Sequence, residues 1–214
     1  MDGDRLQQRV YSGYEKAAKR VGLPHDHYRP ANPLAPIGPS SRIGTILAAV
    51  SEPGSDYAFK ATEGHGENTV RLLADGRILQ VGDYLHRNGA YWFVASMAHI
   101  RAILAVRCNF IFTLKRPQAP LANGLSGYGG DIRPLATIIA QGWPGSSQIA
   151  GHGKADEPLP SDAGTGRRRV LLPSMGITVL HSDVLEDQNA HRYTIMAPEL
   201  TAVGWRIDTM HAVA

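Results

Sequence analysis

Nine histidines, one cysteine, a run of three arginines and two aspartates in matching contexts are the residues of this 214-residue chain that could do chemistry. The densest histidine pair is His25-Asp26-His27. A metal centre needs three or four converging ligands, and the chain has no His-Glu-x-x-His, no paired cysteines and no carboxylate-rich loop. Gly127-Tyr128-Gly129-Gly130-Asp131 lacks the Lys-Ser/Thr of a phosphate loop and the glycine spacing of a dinucleotide site. No serine sits in a Gly-x-Ser-x-Gly frame. Asp83 and Asp183 have the type for acid–base work, but each precedes a hairpin, where aspartate usually bonds turn amides. No catalytic residue, metal or cofactor is therefore assigned, and the chain is not expected to be an enzyme. Cys108, on the apolar side of an alternating run, is read as core filling.

The charge balance narrows the partners. Lys plus Arg is 22 and Asp plus Glu is 19, a net charge of +3, which is too small to argue for a dedicated nucleic-acid binder. Only Arg167-Arg168-Arg169 is clustered enough to touch phosphates, and the competing reading is an exposed strand entry. The longest apolar run is Ala90 to Ala95 and the first residues are polar and acidic, so neither a transmembrane helix nor a signal peptide is expected. A lone cysteine fits a reducing compartment.

The elements that must position these residues are mostly strands. From Asp4 to Val21, Leu6, Val10, Tyr14, Ala17 and Val21 recur at helical spacing, with Gly22 and Pro24 as the stop. An amphipathic helix this short survives by packing on something, so it reads as a docking helix. Pro24, Pro30, Pro33, Pro36 and Pro39 then make an extended arm, lying on its own domain or reaching a neighbouring subunit. Strand-like runs follow at 43–50, 57–61, 69–73, 80–85 and 90–96, the last two joined by the hairpin signal Asn88-Gly89. Residues 103–115 alternate as one half-buried strand, and Pro117 with the Gly-rich stretch 119–134 reads as a linker. A second set follows at 136–141, 168–172, 177–185, 191–197 and 205–210, interrupted by a polar loop at 145–166.

The halves echo each other at an offset of about one hundred. Gly82-Asp83-Tyr84-Leu85 precedes a turn and Tyr91-Trp92-Phe93-Val94; Ser182-Asp183-Val184-Leu185 precedes a turn and Arg192-Tyr193-Thr194-Ile195. The expected fold is mainly β: two tandem small β-barrel or sandwich modules behind an N-terminal helix and arm. The expected boundaries are 1–40 for helix and arm, 41–118 for the first module, 119–134 for the linker and 135–214 for the second.

Met1-Asp2-Gly3-Asp4-Arg5-Leu6-Gln7, Arg9-Val10-Tyr11, Tyr28-Arg29-Pro30, Gly82-Asp83-Tyr84-Leu85, Ile103 to Asn109, Arg116-Pro117, Gly127 to Asp131, Gly142-Trp143-Pro144 and Gly204-Trp205-Arg206 carry a resemblance. The chain resembles a group of virion-associated proteins of tailed bacteriophages and prophages. The resemblance implies a structural part of the particle, in the head–tail connector (neck) or proximal tail, where small β-barrel proteins form rings. Its expected partners are further copies of itself and neighbouring portal, adaptor or tail proteins, without a membrane. Leu6, Val10, Tyr14, Tyr28, Arg29, Pro30 and Pro33 are the expected docking residues, and Arg167, Arg168 and Arg169 the possible contact to DNA in a lumen. The alternative is a capsid-decorating or host-recognition protein using the 145–166 loop.

Overall fold

A computed structural model describes residues 3–51, 69–117, 136–149 and 167–211. One helix, α1 (Gly3–Val21), is followed by twelve strands. They are β1 (Leu23–Tyr28), β2 (Arg42–Ser51), β3 (Thr69–Leu73), β4 (Tyr84–Arg87), β5 (Ala90–Ser96), β6 (Ile103–Cys108), β7 (Phe110–Arg116), β8 (Thr137–Ile149), β9 (Arg167–Leu172), β10 (Val184–Asp187), β11 (Arg192–Thr201) and β12 (Gly204–His211). All pairings are antiparallel, and they close two six-stranded barrels. Closure leaves no sheet edge unpaired, which removes the aggregation hazard of an open strand.

The barrels have one topology. The first runs in spatial order β1-β2-β3-β6-β5-β4 and the second in order β7-β8-β9-β12-β11-β10, so each strand of the first has a counterpart six positions later. In each, the fourth strand returns to pair with the first, a Greek key, and a hairpin completes the wall. Even the irregularities match: β5 bulges at Ala95 and β11 at Met196. The echo read in the sequence is a duplicated fold.

Alternation sets the two interiors. Ile46, Val70, Leu72, Leu85, Val94, Ile103 and Ala105 fill the first barrel. Leu114, Val170, Leu172, Leu185, Ile195 and Ile207 fill the second and share one cluster with Tyr84, Phe93, Ala95 and Val106 from the outside of the first. The Asn88-Gly89 hairpin forms as expected, both residues having positive φ, 50° and 77°.

Several boundaries differ from the sequence reading. The expected single strand 103–115 is two, because Asn109 ends one barrel and Phe110 begins the next. Asn109 bridges the barrels instead: its amide N–H donates to Gly145 O at 2.9 Å and its Nδ2 to Ser147 O at 2.9 Å. The module boundary therefore falls at Asn109, and the 119–134 stretch, outside the described residues, connects β7 to β8 within the second barrel. Residues 23–28, assigned to the arm, are β1 of the first barrel. Pro24 stands opposite Leu47 of β2, outside the Asp26–Tyr28 stretch that pairs with β4, so on that side of β1 it faces no ladder partner. Residues 145–149, assigned to a loop, extend β8, with Ser146 and Ser147 buried; the rest of that loop, and the expected strand at 57–61, lie outside the described residues. Residues 177–182 form no strand, since they are the crossover leading into β10.

Helix α1 packs on β2 and β3. Its buried face carries Gln7, Tyr11 and Ala18, rotated one residue from the expected stripe. Gln7 Oε1 accepts from Ile100 N–H at 2.7 Å in the β5–β6 turn, and the Tyr11 ring lies over Gly76, where a Cβ would stand 2.4 Å from the ring. Among the described residues no helix is long and apolar enough to cross a membrane.

Candidate functional site

Each barrel is locked by one carboxylate. Asp83 ends the crossover into β4 and Asp183 the crossover into β10. Arg29, just past β1, donates through Nε and Nη2 to Asp83 at 2.8 and 2.7 Å and through Nη2 to Ile78 O at 2.9 Å. Arg116, at the end of β7, donates to Asp183 at 2.9 and 2.8 Å and to Thr178 O at 2.8 Å. Gln80 N–H and Leu180 N–H each give a further 2.8 Å bond to the same aspartate. The residue before the aspartate has positive φ in both, Gly82 at 92° and Ser182 at 71°.

This arrangement pins the Greek-key crossover to the first strand. It also uses up the carboxylate oxygens, both aspartates being buried, so neither is placed for proton transfer to a substrate. The turn-amide reading of Asp83 and Asp183 holds, with the arginine clamp added. The signal that could have found the clamp is the dipeptide shared by the two strand ends, Arg29-Pro30 and Arg116-Pro117.

The clamps differ in one partner. His27 Nε2–H donates to Asp83 at 2.8 Å, whereas Leu114 holds the equivalent position in the second barrel. Burial alone pushes the Asp83 carboxyl up, but the Arg29, His27 and Gln80 hydrogen bonds outweigh it and hold it below the ordinary aspartate range.

The docking residues of the arm turn inward on the chain itself. The Pro33 carbonyl accepts from Trp143 Nε1–H at 2.7 Å and from Gln141 N–H at 3.0 Å, so the arm at Pro33 lies against β8 of the second barrel. Tyr28 packs against the shared core, Pro30 follows the clamp, and Arg29 is spent on Asp83. The arm thus contacts its own chain. Leu6, Val10 and Tyr14 remain half-buried on the outer flank of α1, and Val21 beyond them is 66% exposed.

The three arginines do not form one surface. Arg169 pairs with Asp208 at 2.9 Å; Arg168 lies 5.7 Å from the ring centroids of both Phe110 and Tyr193, a cation–π arrangement; Arg167 is exposed at the start of β9. Beside Arg168, Asp187 accepts from His191 Nδ1 at 3.1 Å and from the Tyr193 hydroxyl at 3.3 Å. Among the described residues no three or more His, Cys, Asp and Glu are grouped to hold a metal. His25 instead makes an edge contact with Trp92, and burial pushes its imidazole down.

The barrels meet on a dedicated pair of surfaces. Tyr84, Phe93, Ala95 and Val106 of the first sit against Leu171, Val203 and Trp205 of the second, around a cavity of about 90 Å³. Tyr84, fully buried, donates its hydroxyl to Pro144 O at 2.6 Å and makes ring contacts with Phe93 and Trp143. Cys108 packs against the same core, and burial pushes its thiol well up. We expect Cys108 to react with a thiol reagent at pH 8 at least ~100-fold more slowly in the native protein than in denaturant; equal rates would place it outside the core.

No family model, curated protein or solved structure matches this chain.

Proposed function

We propose that this chain is a non-enzymatic structural protein of a tailed-bacteriophage particle, assembling as a ring in the head–tail connector or proximal tail. The observation that carries the reading is the duplication. Two barrels of identical topology lie head to tail in one chain, using different faces of the repeat for the two sides of the contact. A heterologous contact repeated around an axis is how rings are built. Sequence motifs resembling those of phage virion proteins supply the setting, and neighbouring portal, adaptor or tail proteins would stack on the ring. Contact with DNA in a lumen falls to Arg167, the one member of the arginine run not engaged by an aspartate or an aromatic ring in the barrel wall.

Light scattering on the purified protein, followed by negative-stain electron microscopy, tests this. Closed rings are the expected result. A monomer at every concentration, with no binding to portal or tail assemblies, would overturn it and favour a surface protein working through residues 150–166.

A further inference from the structure

The duplication makes every surface of one barrel comparable with its counterpart on the other. The first barrel docks through Tyr84, Phe93, Ala95 and Val106, and strand register equates these with Val184, Thr194, Met196 and Met210 of the second. On that second face Val184 is buried and Thr194 half-buried, while Met196 and Met210 are 46% and 43% exposed, with no described part of the chain over them. Its border carries an ion-paired ladder, Lys115–Glu186–Arg192, at 2.8 and 3.0 Å. The equivalent residues of the first barrel are aromatic, Tyr28, His86 and Tyr91, with His86 stacked on Tyr91 at 4.4 Å. Two exposed methionines inside a polar border are the anatomy of a small protein interface.

The opposite surface has a counterpart as well. On the second barrel, the seat taken by the first lies on β8, β9 and the β11–β12 turn, through Leu171, Val203 and Trp205. The same seat on the first barrel is β2, β3 and the β5–β6 turn, and α1 lies there, with Gln7 bonded to Ile100. The helix thus stands where a preceding barrel would. Its outer flank offers Leu6, Val10, Tyr14 and Val21.

We infer that copies of this chain join head to tail, the Met196–Met210 face of one seating on the outer flank of α1 of the next. The inference rests on the ring reading and names its contact. A second copy is the occupant because the chain already joins this face of one barrel to the opposite end of another. Repeating that polarity between chains continues the series, with the flank of α1 in place of the barrel seat.

The experiment uses two variants of the full chain, Met196→Glu with Met210→Glu and Val10→Glu with Val21→Glu. Circular dichroism and melting must match the wild type; where the helix signal drops, Val10→Gln with Val21→Gln replaces the second. Each variant alone should run as a 23.1 kDa monomer by light scattering. An equimolar mixture should stop at a dimer of twice that mass, since only one intact contact forms per pair. Rings persisting in either variant, or a mixture that stays monomeric while the wild type makes rings, would overturn the contact and leave the ring standing. A wild type that never associates would overturn this contact and, if it also binds no portal or tail assembly, the ring reading with it.

Discussion

Arg29→Ala lowers the stability of the protein by about 3 kcal/mol, because it leaves the Asp83 carboxylate buried without its guanidinium. Asp83 is only 1% exposed, so water cannot replace two lost charge-assisted bonds at 2.7–2.8 Å. His27 and the Gln80 amide remain, which keeps the cost at the lower end of the range for broken buried pairs. Acid titration should show the same interaction. The folded carboxyl lies below the ordinary aspartate pKa of 3.8, so the stabilisation is fully present above that value and is lost as pH falls through the folded pKa. Without Arg29 burial is less opposed and the carboxyl rises, so acidification from pH 5 to pH 3 should cost the variant less than the wild type. Urea titrations followed by circular dichroism at pH 3, 5 and 7 measure both effects. A loss below 1 kcal/mol with an unchanged acid limb would remove the clamp from the account of the fold.

Tyr84→Ala should cost about 3–5 kcal/mol, the largest effect expected of any single side chain here, since it opens a cavity where the barrels meet. The ring lies 6.1 Å from Phe93 and 6.2 Å from Trp143, one in each barrel, so its removal strips contacts from both sides of the interface at once. Tyr84→Phe separates packing from polarity: it keeps the ring but leaves the Pro144 carbonyl without its donor, for about 1–2 kcal/mol. Denaturant unfolding of the three proteins gives the comparison. If Tyr84→Ala were as mild as Tyr84→Phe, the barrels would not depend on a common core, and the head-to-tail pairing would lose its main support.

Much of the fold is legible in the residues because strands are local patterns. Period-two alternation placed β2, β3, β5, β9 and β12 to within a residue or two, and Asn88-Gly89 marked its hairpin because both positions need positive φ. The pattern misled at the junction of two strands: apolar residues recur at every second position from Leu104 to Leu114, with Ile111 the one large apolar break on the other face, although Asn109 ends one barrel and Phe110 begins the next. Helix α1 was placed correctly but turned by one residue, because its buried face includes a glutamine that bonds a turn amide and so is invisible to a search for apolar spacing.

By itself the sequence determined the β class, the N-terminal helix and the repeat around Asp83 and Asp183, since each is written in residue type and short spacing. Only the tertiary structure decided what those residues touch. Arg29 reaches Asp83 across 54 positions of chain and Arg116 reaches Asp183 across 67, distances at which spacing carries no information. The arm's choice of the second barrel, and the exposure of Met196 and Met210 where Ala95 and Val106 are buried, likewise depend on how two closed barrels pack, a relation between surfaces far apart in sequence.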